Sequence, residues 1–340
     1  VGALSKDQTV RRQYWERARK ILLESQANGD DSNLTRVTLE SLSREDADVN
    51  VPFSDTKAAE AEIRKGEEAF VRGETEKALV SYKRALELDP KLYEAALYAG
   101  DMEFRLAYAS KDEAFRKEHF GRAGIWFAKA IAIDPDRETA YRYWGDALDQ
   151  EGKTDAARDK FVEAIIAEPY SGDRAYVGLT QWGDRHQVPL NHPKIDIPSD
   201  LTSKKQGEVN ITIDMSVLKG DSDGSAAWMM YGIIRAGWQA EFAKHYPNEK
   251  TYRHSLKEEA AALRGALEAV QNQKIDPKKE DPSLQMLRKL NKEGLLEAFI
   301  LLAIPDAGIA NDFPAYRKTN VEDLRRYVKL YVMTGGGNPK

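Results

Sequence analysis

Asp221-Ser222-Asp223-Gly224-Ser225 sets oxygen-bearing side chains at alternate positions, the spacing with which the front of a calcium loop wraps one cation. The loop would have to close on a bidentate glutamate, and Gly232 stands at that place. The stretch therefore reads better as a turn in which an Asp or Ser caps a helix beginning near Ser225. The five histidines, His119, His186, His192, His245 and His254, include no close pair at metal-ligand spacing, and each fits a surface or capping role. There is no cysteine, which excludes disulfides, zinc–thiolate sites, iron–sulfur clusters and thiol nucleophiles. No GxSxG, P-loop or GxGxxG sequence is present. Trp228, Tyr231, Trp238 and Phe242 could line a ligand platform, but their helical spacing fits a packed core better. No catalytic, cofactor-binding or metal-ligating residue is assigned, and no cofactor is expected. An enzyme with an unrecognised site in residues 187–340 stays open. It requires Asp221, Asp223, His192 and His254 to converge on one pocket.

The elements that would position such groups are dominated by a repeat. ALELDP at Ala85–Pro90, AIAIDP at Ala130–Pro135 and AIIAEP at Ala164–Pro169 end three segments, and the last two prolines are 34 residues apart. Upstream, Ala78-x3-Tyr82-x2-Ala85-x4-Pro90 returns as Ala123-x3-Phe127-x2-Ala130-x4-Pro135 and Ala157-x3-Phe161-x2-Ala164-x4-Pro169. Gly66, Gly100 and Gly145 with the alanines allow close approach of two antiparallel helices, while Tyr82, Phe127 and Phe161 fill the space between hairpins. Gly73 and Gly152 permit a tight turn, and each proline ends a second helix. Between Gly100 and Ala123 the second copy carries 11 extra residues, around Tyr108–Glu118. Ser110-x-x-Glu113 predicts a capping box there. The insertion makes either a longer helix pair or a protruding contact surface.

This spacing resembles the tetratricopeptide repeat (TPR) family over about Ala59–His186, with a closing helix near Asp173–His186; Lys65 departs from the pattern. The resemblance implies a right-handed solenoid of helical hairpins whose concave groove, lined by the first helices, takes a partner segment. Projected onto this chain, the groove residues are Glu60, Ile63, Glu67 and Phe70 from the first repeat. Glu94, Leu97, Asp101, Phe104 and Arg105 come from the second, Arg142, Asp146 and Asp149 from the third, and Tyr176 from the closing helix. Family members that grip a chaperone's C-terminal carboxylate use Lys, Arg and Asn at inward positions. Glu67, Asp101 and Asp146 have the wrong sign for that.

The expected architecture is mainly α. Residues 1–56 form a helical cap and linker, with helices at Ser5–Ser25 and Leu34–Leu42, and residues 57–186 form the repeat array. Residues 187–224 are a proline-broken segment with a small β element. Its strand is read from the alternation Val209, Ile211, Ile213, Met215, Val217, with Lys194–Ile197 as a possible pairing partner. Residues 225–340 are helical, with helices near Ser283–Ile304 and Asn320–Met333, the latter capped by Thr319-x-x-Glu322. No family is recognised for residues 187–340.

Of the 340 residues 41% are hydrophobic and 31% charged, enough apolar material for a sizeable core. The net charge of −5 argues against a dedicated nucleic-acid binder, and no apolar run reaches membrane-spanning length. Residues 59–186 carry 20 basic and 26 acidic side chains, so the acidity sits in the repeats. A groove of this character suits a protein or peptide partner with apolar anchors and Lys or Arg. The chain's own flanks filling the groove is the lesser alternative, and a structural subunit of a homo-oligomer is a further one. Residue 1 is Val, so the natural start is expected upstream, and neither compartment nor oligomeric state follows.

Overall fold

A computed structural model describes residues 20, 52–197, 199–205, 208–213 and 223–334, apart from 274, 276, 277 and 305. Apart from Lys20, the two expected N-terminal helices lie outside the described residues, as do Met215, Val217 and Asp221. The chain divides into two compact units, residues 1–106 and 107–340.

In the first unit, α1 (Lys57–Val71) and α2 (Thr75–Leu88) pair as a hairpin, followed by α3 (Tyr93–Ala109), whose last residues belong to the second unit. Ala59, Ile63 and Ala69 bury one stripe of α1, and Ala78, Tyr82 and Ala85 one of α2, as amphipathic helices at 3.6 residues per turn require. Gly73 makes the turn at φ +75°, and Gly152 repeats it at +75° in the second unit, a left-handed conformation costly for other residues. A Cβ at Gly66 would lie 2.4 Å from the Tyr82 ring, and one at Gly145 2.5 Å from Phe161. The same glycine-on-aromatic contact thus closes both hairpins.

The second unit continues with α4 (Glu113–Ile133), α5 (Glu138–Gln150), α6 (Thr154–Ala167) and α7 (Arg174–His186). Helices α2, α4 and α6 each stop two residues before Pro90, Pro135 and Pro169. The inserted residues lengthen helix: α3 has 17 residues and α4 has 21, against 13 to 15 in α1, α2, α5 and α6. The cap of α4 is Asp112, whose carboxylate accepts from the Phe115 N–H at 3.0 Å. Ser110 serves one step earlier by accepting from Asp112 N, so the expected Ser110 capping box is corrected.

Beyond α7, β1 (Ser199–Lys205) pairs antiparallel with β2 (Glu208–Ile213), Ser199 opposite Ile213. Lys194–Ile197 is not the partner. An adjacent segment closes a short loop at little entropic cost, and residues 194–197 instead run as irregular chain with Ile195 and Ile197 packed on the core. A 3₁₀ turn at Ser225–Ala227 leads into α8 (Trp228–Ala240) and α9 (Phe242–His245). Then come α10 (Leu256–Gln271), α11 (Pro282–Lys292), α12 (Leu296–Ala303), α13 (Ala307–Ala310) and α14 (Phe313–Leu330).

Two helix boundaries differ from expectation. Ser283–Ile304 is two helices, broken at Gly294 with φ +72°. The last helix begins at Phe313 and is kinked at Asn320 (φ −128°, ψ 28°), where the side-chain amide donates to the Tyr316 carbonyl at 3.0 Å. The Thr319-x-x-Glu322 capping-box spacing therefore falls at a kink inside a longer helix and not at its start. Met333 lies in a closing 3₁₀ turn.

The hydrophobic core of the second unit is continuous from Leu148, Phe161 and Ile165 in the third repeat to Leu263, Phe299, Leu324 and Tyr327. The seam between the repeat and the C-terminal helices is also bonded. Tyr170 donates to the Leu301 carbonyl (2.6 Å), Arg325 pairs with Glu163 (2.6 Å), and Lys329 pairs with Asp159 (2.9 Å). Among the described residues no helix is long and apolar enough to cross a membrane.

Candidate partner-binding surface

In the first unit, the residues projected onto the groove divide into core, connector and surface. Ile63 is fully buried and Leu97 nearly so; both lie inside the unit and cannot touch a partner without opening it, which corrects their placement in the lining. Glu60 is also withdrawn. Its carboxylate accepts from the Phe53 and Ser54 N–H groups at 2.7 and 3.1 Å and from Arg64 at 2.7 Å, so it fixes the chain entering α1. Glu67 accepts from the Tyr82 hydroxyl at 2.6 Å; burial, then this negative neighbour, raise the Tyr82 pKa. Phe70, Asp101 and Arg105 form one cluster across α1 and α3. The Arg105 guanidinium lies 4.8 Å from the Phe70 ring centre and its Nε donates to Asp101 at 2.8 Å. Glu94 and Phe104 are half-buried.

In the second unit, Arg142, Asp146 and Asp149 are on α5. Arg142 donates to the buried Glu138 at 3.0 Å. Asp149 receives Arg185 at 2.7 Å and His186 Nε2 at 3.2 Å, both from α7. Asp146, half-buried, has neither a hydrogen bond nor an ion pair among the described residues. Its pKa is pushed up to about 6, chiefly by burial; the charges of Arg142 and Arg185 oppose the shift and Asp149 adds to it. Tyr176 is covered by the chain itself: the His192 ring meets its edge at 6.5 Å and Nδ1 of His192 is 2.8 Å from the Tyr327 hydroxyl. Burial lowers the His192 pKa and raises that of Tyr176 to about 12.

The ionised form of Asp146 is disfavoured in the fold, so it costs stability progressively from about pH 4, with the full cost present above the folded pKa near 6. Asp146→Asn is therefore expected to stabilise the protein by about 1–3 kcal/mol at pH 8. The gain should shrink below pH 6 and vanish below pH 4, which urea titrations across that range would read.

Arg185, Glu138 and Tyr327 were not visible as site residues in the sequence. A basic last turn in α7 hints at Arg185, but nothing local points from His192 to a tyrosine 135 residues away. Of the four residues expected at a C-terminal site, Asp221 lies outside the described residues and the other three have different partners. His192 bonds Tyr327, His254 lies between Asp306 (3.1 Å) and Glu259 (2.9 Å), and Asp223 accepts from Ser225 N at 3.0 Å. These are three separate places, and His192 and His254 are half-buried rather than surface or capping groups. His119 is buried and stacks on Phe115. Among the described residues no three His, Asp or Glu side chains are placed to hold a metal ion.

No family model and no curated protein matches the chain. Solved structures that resemble it are TPR domains. The first TPR of Spaghetti (RPAP3) bound to HSP90 peptide SRMEEVD is 20% identical, with 40% of this chain and 98% of that one covered and a TM-score of 0.33. The Arabidopsis OM64 TPR domain is 21% identical, covering 39% and 99%, with a TM-score of 0.33. The Sgt2 TPR domain from Aspergillus fumigatus is 19% identical, covering 40% and 83%, also at 0.33. Residues 57–186 form helical hairpins with repeated glycine-on-aromatic contacts, left-handed turn glycines and helix-ending prolines.

Proposed function

We propose that the chain is a protein-interaction adaptor whose repeats take a partner segment carrying basic and apolar residues. The observation that carries this reading is Asp146, a half-buried carboxylate with no bonded partner among the described residues. The cations of the same faces are already engaged: Arg105 by Asp101, Arg142 by Glu138, and Arg185 by Asp149. The unmet charge is negative, and an incoming Lys or Arg would answer it. The first unit, taken by itself, offers a contact of its own, where Phe70 lies against Arg105 and Arg105 donates to Asp101. The separation of His192, His254 and Asp223 favours this reading over an enzyme.

The test is fluorescence anisotropy with peptides pairing Leu or Phe with Lys or Arg, beside the acidic peptide SRMEEVD. Basic peptides are expected to bind more tightly, with affinity falling as salt rises, and Asp101→Asn or Asp146→Asn should each weaken them about 5- to 10-fold. Because Asp146→Asn is expected to stabilise the fold, its loss of binding would not be unfolding. Tighter binding of the acidic peptide, or indifference to both substitutions, would refute the reading.

A further inference from the structure

A second cleft lies at the other ends of the repeat helices. It is a space of about 500 Å³ between the turn after α4 (Pro135, Asp136), the turn after α6 (Pro169, Tyr170) and the first turns of α14. Its walls are apolar. The Tyr170 and Phe313 rings meet edge to face at 5.5 Å and 85°, and Val321 lines the same space. The Tyr170 hydroxyl is spent on the Leu301 carbonyl at 2.6 Å, which fixes the ring, yet the residue remains 43% exposed. A large aromatic held rigid and half open is a preformed apolar contact.

The cleft is cationic on one side. Arg317 is held by Asp136 and by the Pro135 carbonyl at 2.9 Å, and its Nε–H is buried with no acceptor. Lys318, next in the chain and exposed, has no ion pair among the described residues. Asp136, the carboxylate that meets Arg317, is itself 72% exposed at the rim, so a ligand oxygen can replace it there at little cost. Glu168 also lines the cleft, with one carboxylate oxygen turned toward the Glu138 N–H at 3.4 Å.

We propose that this cleft binds an apolar group carrying a carboxylate, with the apolar group against Tyr170 and Phe313 and the carboxylate between Arg317 and Lys318. The two sources of that chemistry are a free aromatic or branched carboxylic acid and the C-terminal residue of a peptide. The volume accommodates one or two residues, within the range of small-ligand sites. The site involves none of the residues of the proposed partner groove and stands whether or not that reading holds.

The experiment is titration of the full chain, ¹⁵N-labelled, with N-acetylphenylalanine, its amide, and a tetrapeptide ending in Leu-Phe with a free or amidated C-terminus. The acids are expected to shift amide resonances of residues 168–170 and 313–321, with the amides at least 10-fold weaker. Lys318→Gln, at an exposed position, should weaken the acids severalfold, and Arg317→Gln should do so at least 10-fold. Should Arg317→Gln disturb the fold, Tyr170→Leu, which removes the aromatic face but keeps an apolar wall, is expected to weaken acid binding likewise. Binding of the free acid alone would identify a small-molecule site, and binding of the peptide alone a C-terminus site; either supports the proposal. Equal binding of acid and amide, shifts elsewhere only, or no shifts with any of the four would overturn it.

Discussion

Phe161→Ala is expected to destabilise the second unit by about 3–5 kcal/mol, the range for removing a fully buried aromatic side chain. The ring is wholly buried, and it lies against two helices at once: a Cβ at Gly145 would come within 2.5 Å of it and one at Gly178 within 2.4 Å. Neither glycine offers a side chain that could move into the void, and the alanine-rich neighbourhood cannot collapse onto it without shifting whole helices. For a unit of this size the loss corresponds to a fall in melting temperature of roughly 8–15 °C. Calorimetry of the purified variant reads it. A fall below about 1 kcal/mol would mean that the α5–α6–α7 contact is not closed by this ring. Gly145→Ala addresses the same contact from the other side, and the two substitutions should be strongly non-additive because they share one cavity.

The second large effect concerns Arg235. It donates to Glu258 at 3.1 Å and lies 3.9 Å from Glu259, and both carboxylates are 1% exposed. Tyr231 and Tyr252 also donate to these carboxylates. Arg235→Ala would leave two buried anions facing each other with one cationic neighbour fewer, at a cost of about 3–5 kcal/mol. Urea titration of the purified variant reads the loss.

His254 adds a pH dependence of its own. Burial alone would lower its pKa, but the Glu259 hydrogen bond and the charges of Glu259 and Glu258 outweigh burial and Arg235, leaving it raised above 6.5. A raised folded-state pKa means the proton is held more tightly after folding. The stabilisation is therefore complete below pH 6.5 and is lost as pH rises through the folded value. Asp306, whose pKa is lowered by the Ile309 amide and by His254 in spite of burial, acts oppositely and stabilises above about pH 4. The wild type should lose stability as pH rises above about 6.5, and His254→Gln should flatten that slope in urea midpoints.

The repeat was legible because its packing rules are local. Gly145 and Phe161 are 16 positions apart on adjoining helices, so the contact that closes the hairpin leaves a short-range signature. The groove was only partly legible. Spacing places Ile63 and Leu97 among first-helix positions, but whether such a residue faces outward depends on which neighbours cover it. Glu60 looked like an available carboxylate because its partners, two backbone amides at Phe53 and Ser54, have no side-chain identity to read. The C-terminal region was least legible. Tyr170 with Leu301, Arg325 with Glu163 and His192 with Tyr327 each join residues more than a hundred positions apart, and no periodicity reports such pairings. Thr319-x-x-Glu322 shows how a local signal misleads: the capping-box spacing is present, but the helix already runs from Phe313 and is only kinked at Asn320, whose amide donates to the Tyr316 carbonyl.

The continuous core from Leu148 to Tyr327 bears on what can be exchanged in this protein. In an ordinary array each repeat meets only its neighbours, so one unit can be swapped, duplicated or replaced by a consensus sequence at the cost of two interfaces. The third hairpin here is no such interchangeable part. Its second helix carries Phe161 and Ile165 inward and Glu163 and Asp159 toward Arg325 and Lys329, so a transplanted consensus hairpin would strip a third set of contacts from α14. Arg317 of α14 also holds Asp136 and the Pro135 carbonyl in the turn after α4, so everything from α4 to α14 must be moved as one cassette.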